Sequence, residues 1–193
     1  MKHMPTKRQS GFTLLELMIT LAVAAILSVL AYPSMRDFMR RNRAVEQSNS
    51  MQSNLQSARG QAAATRTYVS ICPLTAAGGT TCDTTGTGYA NGWLVYTAGT
   101  PNAAFVAPDT VNEVVAAPAN TSIIASQGGV LTYNALGELL VGGTPTNVTF
   151  KTCAEDSSGA TINTNAVPGI QLAASNSGRI ASSQMAAGAA CAF

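Results

Sequence analysis

An apolar run near the N-terminus constrains this chain more than any other feature. Residues 12–32, FTLLELMITLAVAAILSVLAY, contain a single charged side chain, that of Glu16. An α-helix rises about 1.5 Å per residue, so this run reaches about 30 Å, the thickness of the hydrocarbon core of a membrane. The run therefore predicts a membrane-spanning helix.

An ordinary secretory signal peptide is the alternative explanation for this run, because Lys2, Lys7 and Arg8 precede it. The carboxylate within the run disfavours that alternative. A charged side chain inside a membrane helix costs about 2.5–3.5 kcal/mol unless something compensates it. We therefore expect Glu16 to have a positively charged partner.

The residue types in the rest of the chain exclude most catalytic chemistry. Only 10% of the residues are charged, which is typical of an exported or membrane-associated protein. The single histidine is His3, ahead of the apolar run, so the main body lacks the histidine of a Ser–His or Cys–His pair. The cysteines show no CxxC spacing and have no histidine co-ligand, which argues against zinc. We predict no enzymatic activity, no cofactor and no metal.

Disulfide bonds are the better explanation for the four cysteines, Cys72, Cys82, Cys153 and Cys191. Four cysteines allow three pairings. The local pair Cys72–Cys82 with the distal pair Cys153–Cys191 requires the fewest chain crossings, and we predict this connectivity. The bridges imply an oxidising compartment such as a periplasm.

Charge divides the chain into two regions. Residues 1–66 carry nine basic and three acidic side chains, a net charge of +6, whereas residues 67–193 carry two basic and six acidic ones, a net charge of −4. The basic side chains that follow the apolar run are expected to lie at lipid headgroups or in solvent rather than on nucleic acid. We expect the two regions to have different roles.

A second helical segment is predicted after the apolar run. Pro33 should kink or locally melt the helix, because proline lacks an N–H donor and displaces the carbonyl of Val29. Beyond it, an apolar stripe with separations of three, four and seven predicts an amphipathic helix to about Arg66. Half of so long a helix must pack against lipid or other helices. The stripe comprises Met35, Phe38, Met39, Val45, Met51, Leu55, Ala58 and Ala62.

The remainder of the chain reads as a β-rich head. Short runs of β-branched residues alternate with Gly, Asn, Thr and Pro, a pattern typical of an antiparallel sheet. The second half of the helix should lie on one face of that sheet, giving an α+β fold. Trp93 is predicted to be a core residue. Strands are predicted at 67–72, 92–97, 121–125, 130–133, 147–152, 169–173 and 179–182.

The N-terminal sequence closely resembles a known signal. GFTLLEL at residues 11–17, after a short basic leader and before a long apolar run ending at Pro33, resembles the class III signal of type IV pilins and type II secretion pseudopilins. The resemblance implies that prepilin peptidase cuts between Gly11 and Phe12 and methylates the new amine of Phe12. It also implies that Glu16 neutralises the N-terminal amine of a neighbouring subunit during filament assembly, which fits the need for a partner.

The head resembles one subgroup of this superfamily. The order ARGQAAATRTYVSICP, a cysteine loop, NGWLVYT, VLTYNALGEL, SGRIAS and a final Cys191 is similar to that of GspH/FimT minor pilins and pseudopilins. The resemblance implies the pilin-like α+β fold, a long N-terminal helix packed on a C-terminal antiparallel β-sheet head. It divides the chain into a leader (1–11), a transmembrane helix (12–33), an amphipathic stem (34–66) and a β-rich head (67–193).

The function implied is that of a structural subunit of a type IV pilus or a type II secretion pseudopilus. Its partners would be prepilin peptidase, other (pseudo)pilin subunits through the N-terminal helix, and the bacterial inner membrane, with the head in the periplasm. The alternative is a DNA-binding minor pilin for DNA uptake. Arg179 is the candidate DNA contact, but the further arginines that follow Gly-Arg in DNA-binding members are missing here, and a head of charge −4 disfavours DNA.

Overall fold

The computed structural model of the chain describes residues 12–116 and 118–193. The predicted leader, residues 1–11 with Gly11, lies outside the described residues. The chain divides into two compact units, one ending at Asp37 and the other covering Phe38–Phe193. A long helix, α1, runs from Leu14 to Thr65, so it begins in the first unit and ends in the second.

The helix meets the criteria for a membrane span only as a bent pair of segments. By length and apolar composition, no single straight helix of the described residues could cross a membrane. A pair of helical segments bent by 42° relative to each other meets the requirement together, and these are Leu14–Val29 and Ala31–Thr65. The bend lies about one turn before Pro33, where the proline ring displaces the carbonyl of Val29.

Two antiparallel sheets form the β-rich part of the second unit. The first has the strand order β3-β2-β1-β5-β6-β7, and the second has the order β11-β10-β8-β4 with β9 paired to β8. The strands are β1 Tyr68–Pro73, β2 Trp93–Ala98, β3 Thr110–Val115, β4 Thr121–Ala125, β5 Leu131–Tyr133, β6 Leu139–Val141, β7 Thr144–Pro145, β8 Val148–Glu155, β9 Thr161–Ile162, β10 Ile170–Ala174 and β11 Ile180–Gln184.

The main core of the second unit joins the helix to both sheets. Apolar side chains of α1 pack with inward-facing residues of the first sheet, such as Trp93 and Leu131, and of the second sheet, such as Phe150 and Leu172. Trp93 is fully buried and contacts Tyr89 edge to face at 6.1 Å between ring centroids, so its predicted place in the core is confirmed. The predicted α+β fold is likewise observed, although the strands form two sheets.

The predicted apolar stripe is only partly correct. The helix buries Met51, Leu55, Ala58 and Ala62 as expected, but Met35, Phe38, Met39 and Val45 are exposed. The buried face continues instead through Ser48, three residues before Met51, and Ala44, four residues before Ser48. Val45 is one position after Ala44, which turns its side chain about 100° around the helix, away from the buried face.

Each of the seven predicted strands has a counterpart whose ends lie within three residues of the predicted ones, and four strands of the described residues were not predicted. These are β3, β6, β7 and β9. Strands β7 and β9 have two residues each and β6 has three, too few to show an alternating pattern. Strand β3 has six residues, but among the described strands it pairs with β2 alone and is almost entirely exposed, so its sequence shows no buried face.

Candidate functional site

Glu16 closes the N-terminus of helix α1. The carboxylate accepts hydrogen bonds from the backbone N–H of Thr13 at 3.0 Å and from the Thr13 hydroxyl at 3.2 Å. In return, the Thr13 hydroxyl accepts from the N–H of Glu16 at 3.2 Å. This is a capping box, in which a Thr at the N-cap and a Glu three residues later satisfy each other's free donors. The carboxylate also lies at the positive end of the helix dipole.

The sequence signal for this cap was present but was missed. Thr-x-x-Glu before an apolar run is the pattern of a capping box, and residues 13–16 match it. Glu16 was predicted only as the partner of a neighbouring amine. The structure shows that the same carboxylate also has a local role in starting the helix.

Phe12 begins a continuous apolar surface in the first unit. Its side chain is 86% exposed, and Leu14, Leu21 and Val29 are each more than 60% exposed. The few hydroxyls along this surface bond to the helix backbone, as Ser28 does to the carbonyl of Ala24 at 2.7 Å. An apolar surface of this extent marks contact with lipid or protein. The large side chains exposed in this unit are Phe12, Leu14, Leu15, Leu17, Met18, Ile19, Leu21, Val23, Ile26, Leu27, Val29, Tyr32 and Met35.

Pro33, which was predicted to kink or locally melt the helix, lies inside α1. Its neighbour Tyr32 is exposed, and the guanidinium of Arg36 lies 5.7 Å from the centre of the Tyr32 ring. An aromatic ring and a cation at this spacing suit a membrane–water boundary, because both have an apolar body and a polar end.

The two disulfides of the head have the predicted pairing. Cys72 bonds to Cys82, with Cα atoms 5.5 Å apart, and Cys153 bonds to Cys191, with Cα atoms 6.1 Å apart. The first bridge belongs to a small apolar cluster with Leu94 on the first sheet. The second bridge ties the C-terminal segment to strand β8.

The loop after Cys72 is fixed by its own backbone as well as by the bridge. Asp83 accepts hydrogen bonds from the N–H groups of Thr85 at 3.0 Å and Gly86 at 2.8 Å, and these bonds lower the pKa of the Asp83 carboxyl. The N–H of Gly129 donates to the carbonyl of Gly86 at 3.0 Å. A Cβ on Gly129 would lie 2.4 Å from the carbonyl oxygen of Thr84, so the close approach of the loop requires glycine there.

Arg179 shares a groove with a second arginine, Arg59, that was not predicted as a site residue. Both residues line this groove of about 580 Å³, which lies between helix α1, the turn that joins β5 to β6 and the turn that joins β10 to β11. Arg59 donates from Nε to the carbonyl of Gly137 and from Nη2 to the carbonyl of Ser177, both at 3.1 Å. No local pattern indicates this pair, because 119 residues separate the two arginines and only the packing of the turns on the helix brings them together.

Tyr133, in strand β5, is buried in the main core of the head. Burial raises the pKa of its hydroxyl, and the positive charge of Arg59 offsets part of that rise. Among the described residues, the Tyr133 hydroxyl has no hydrogen-bond partner. Within residues 12–116 and 118–193 no group of three or more His, Cys, Asp or Glu side chains is placed to hold a metal ion.

Known protein families match both the N-terminal segment and the head of this chain. The family described as type II transport protein GspH matches residues 47–167, and the prokaryotic N-terminal methylation motif matches residues 6–32. No curated protein sequence matches the chain. The first match covers more than half of the chain.

A solved pilin structure shares the fold. The type IV minor pilin FimU of Pseudomonas aeruginosa, crystallised in space group P21, is 21% identical and aligns over 80% of this chain and 98% of its own, with a TM-score of 0.55. A second crystal form, in space group P65, gives 23% identity over 77% and 97% of the two chains with a TM-score of 0.49, too low to carry the comparison. With its matched head, its methylation motif and its pilin-like fold, the chain belongs to the GspH family of type IV pilin-like proteins, which are structural pilus or pseudopilus subunits and not enzymes.

Proposed function

We propose that this chain is a minor pilin or pseudopilin that is cut between Gly11 and Phe12 by prepilin peptidase and then assembles through its N-terminal helix. The observation that carries the proposal is the exposed apolar surface that starts at Phe12 and contains one carboxylate, Glu16. Cleavage at this point would free an amine next to the start of α1. Glu16 could then exchange its local hydrogen bonds for the amine of a neighbouring subunit.

We further propose that residues 12–33 lie in the bacterial inner membrane before assembly, with the N-terminus in the cytoplasm and the head in the periplasm. Exposed apolar side chains would be favourable in lipid and, after assembly, against the helices of other subunits. The two disulfides of the head fit an oxidising compartment. The filament would be a type IV pilus or a type II secretion pseudopilus.

Mass spectrometry of the protein coexpressed with prepilin peptidase tests the processing step. We expect a mature chain that begins at Phe12 and carries one extra methyl group. Gly11→Leu should block the cut, because a bulky side chain replaces the small residue at the cleavage point, while the matched change Ser10→Ala should not. A mature N-terminus between residues 22 and 31 would instead identify an ordinary signal peptide.

Two substitutions separate the charge of Glu16 from its capping role. Glu16→Gln removes the charge but keeps a side chain that can complete the capping box. Thr13→Val removes the capping hydroxyl but keeps the charge. If Glu16 pairs with an amine, Glu16→Gln should lose incorporation into filaments and Thr13→Val should retain it. The reverse result would show that helix capping, and not charge pairing, is the role of Glu16.

The DNA-binding alternative has one observation in its favour, the presence of Arg59 and Arg179 in one groove. Two positively charged side chains contact few phosphates, and the affinity of a protein for duplex DNA grows with the number of phosphates that it contacts. The charge of −4 on residues 67–193 also opposes a polyanion. We therefore expect the full-length protein to bind duplex DNA weakly at physiological salt, as measured by a titration over several salt concentrations.

A further inference from the structure

The groove that contains Arg59 and Arg179 has a rigid floor. The turns at Gly137 and Gly178 meet there with positive φ angles of 76° and 78°. A Cβ on Gly178 would lie 2.1 Å from the carbonyl oxygen of Gly137 and 2.5 Å from Nε of Arg59. Only glycine allows the two turns and the arginine to come this close, so the guanidinium is held in a fixed place.

The groove holds positive charge that the described residues do not neutralise. A guanidinium has five N–H donors, and the two bonds from Arg59 to the turns use only two of them. Among residues 12–116 and 118–193, neither Arg59 nor Arg179 forms an ion pair, and none of the residues lining the groove is acidic. Glu138 follows Gly137 in the chain, but its carboxylate accepts a hydrogen bond from Nδ2 of Asn134 at 2.7 Å.

Apolar side chains lie beside these cations. Leu136, at the tip of the β5–β6 turn, is 80% exposed, and the groove is also lined by Ala63 and Ile180. A ligand that matches both the positive charge and the apolar lining of the groove has a carboxylate attached to, or flanked by, aliphatic groups. An arginine that is already oriented binds a carboxylate with little further loss of side-chain entropy.

We infer that the Arg59–Arg179 groove is a docking site for an acidic side chain, flanked by aliphatic residues, on a neighbouring protein subunit. Charge complementarity favours a protein over DNA. A single carboxylate needs only the local positive charge of the groove, whereas a duplex would also meet the acidic remainder of the head. This contact through the head goes beyond assembly by the N-terminal helix and can be tested without any filament.

A peptide titration of the full-length protein in detergent micelles tests this inference. The probe is the acetylated and amidated peptide Ala-Leu-Glu-Leu-Ala, and the control peptide has Gln in place of Glu. NMR of ¹⁵N-labelled protein follows the Arg59 Nε–H and the Gly178 amide. We expect the Glu peptide to shift both signals with saturation, and the Gln peptide to bind about tenfold more weakly, as expected for the loss of a charge-assisted bond.

Three variants locate the binding energy. Arg179→Gln should weaken binding of the Glu peptide about tenfold, and because Arg179 is exposed the head should stay folded. Arg59→Lys keeps the charge but loses the planar guanidinium, which can bind a carboxylate through two N–H groups, so it should also weaken binding. Arg41→Gln, which removes an exposed arginine outside the groove, should leave binding unchanged. Circular dichroism of each variant checks its folding.

Three results would overturn the inference. Equal binding of the Glu and Gln peptides would show an apolar groove without carboxylate recognition. Inorganic phosphate that shifts the same signals as strongly as the peptide would show a simple anion site. Displacement of the peptide by a duplex oligonucleotide near 150 mM salt, dependent on Arg179, would identify nucleic acid as the ligand instead. None of these results depends on cleavage at Gly11 or on Glu16, so this test and that of the proposed function can fail separately.

Discussion

Leucine has opposite surroundings in the two compact units of this protein. In the first unit Leu21 is 62% exposed, whereas in the second unit Leu55 is fully buried, although both belong to the same helix. The second unit surrounds its apolar helix face with two sheets of its own. The first unit exposes apolar side chains from Phe12 to Met35, a surface that lipid or other subunits would cover under the proposed function. The difference is between a helix face that its own unit buries and one that its own unit leaves exposed.

The sharpest test of this contrast is a pair of matched substitutions. Leu55→Ala should reduce the free energy of unfolding of the head by about 2–5 kcal/mol, because it removes buried methyl groups and leaves a cavity. Leu21→Ala should leave it within about 0.5 kcal/mol, because that side chain is exposed. Urea unfolding of the full chain in micelles, followed by the fluorescence of Trp93, measures both, since the single tryptophan lies in the head core. Equal effects would contradict the separation of the two units.

The disulfides should stabilise the head in the order of their loop lengths. The chain-entropy relation gives about 4 kcal/mol for Cys153–Cys191, with a separation of 38 residues, and about 2.7 kcal/mol for Cys72–Cys82, with a separation of 10. Replacing each pair with Ala, followed by the same urea unfolding, tests the order. Alanine is preferred to serine because a buried hydroxyl would add its own cost. The reverse order would mean that packing around Cys72 outweighs chain entropy.

The head should also lose stability in alkali. Burial raises the pKa of Tyr96 to about 12, with Asp109 adding to the rise and a hydrogen bond to Ser70 opposing it. Because the pKa in the folded state exceeds the unfolded value of about 10, the stabilisation is complete below pH 10 and is lost as pH rises towards 12. Burial also raises the pKa values of Tyr89 and Tyr133.

Tyr96→Phe should make the fall in unfolding free energy between pH 10 and 12 less steep, by at most about 1.4 kcal/mol per pH unit. Tyr32→Phe is the matched control, because Tyr32 lies outside the head whose unfolding is measured. Urea unfolding at several pH values measures the slopes. An unchanged slope in Tyr96→Phe would show that the Tyr96 hydroxyl already ionises in the folded head.

The smallest expected effect concerns the start of helix α1. Thr13→Val should weaken the first turn by about 0.5–2 kcal/mol, because it removes the hydroxyl that accepts from the N–H of Glu16. Amide hydrogen exchange of residues 15–17 in micelles should become faster, while exchange in strand β1 should not change. Unchanged exchange at residues 15–17 would show that the surrounding micelle, and not the capping box, determines the order of this turn.

The two regions differ in how much of their structure could be predicted. The apolar run, the capping pattern at Thr13, the cysteine pairing and seven strands all have local or simple topological signals. The buried face of the helix was predicted correctly at Met51 and Leu55 but not at Ser48, because a polar residue is left out of an apolar count. Ala44 was missed because the prediction chose the larger Val45 next to it. The strands β7 and β9 depend on hydrogen bonds from their neighbours and have no pattern of their own.

Residue type and spacing along the chain are enough to indicate which segment is apolar, where the helix begins and what the charge of each region is. The arrangement of the strands in two sheets and the meeting of Arg59 and Arg179 in one groove depend instead on long-range packing. That groove exists because Gly137 and Gly178 allow two turns to meet at the helix, a contact between residues 41 positions apart that no local pattern specifies.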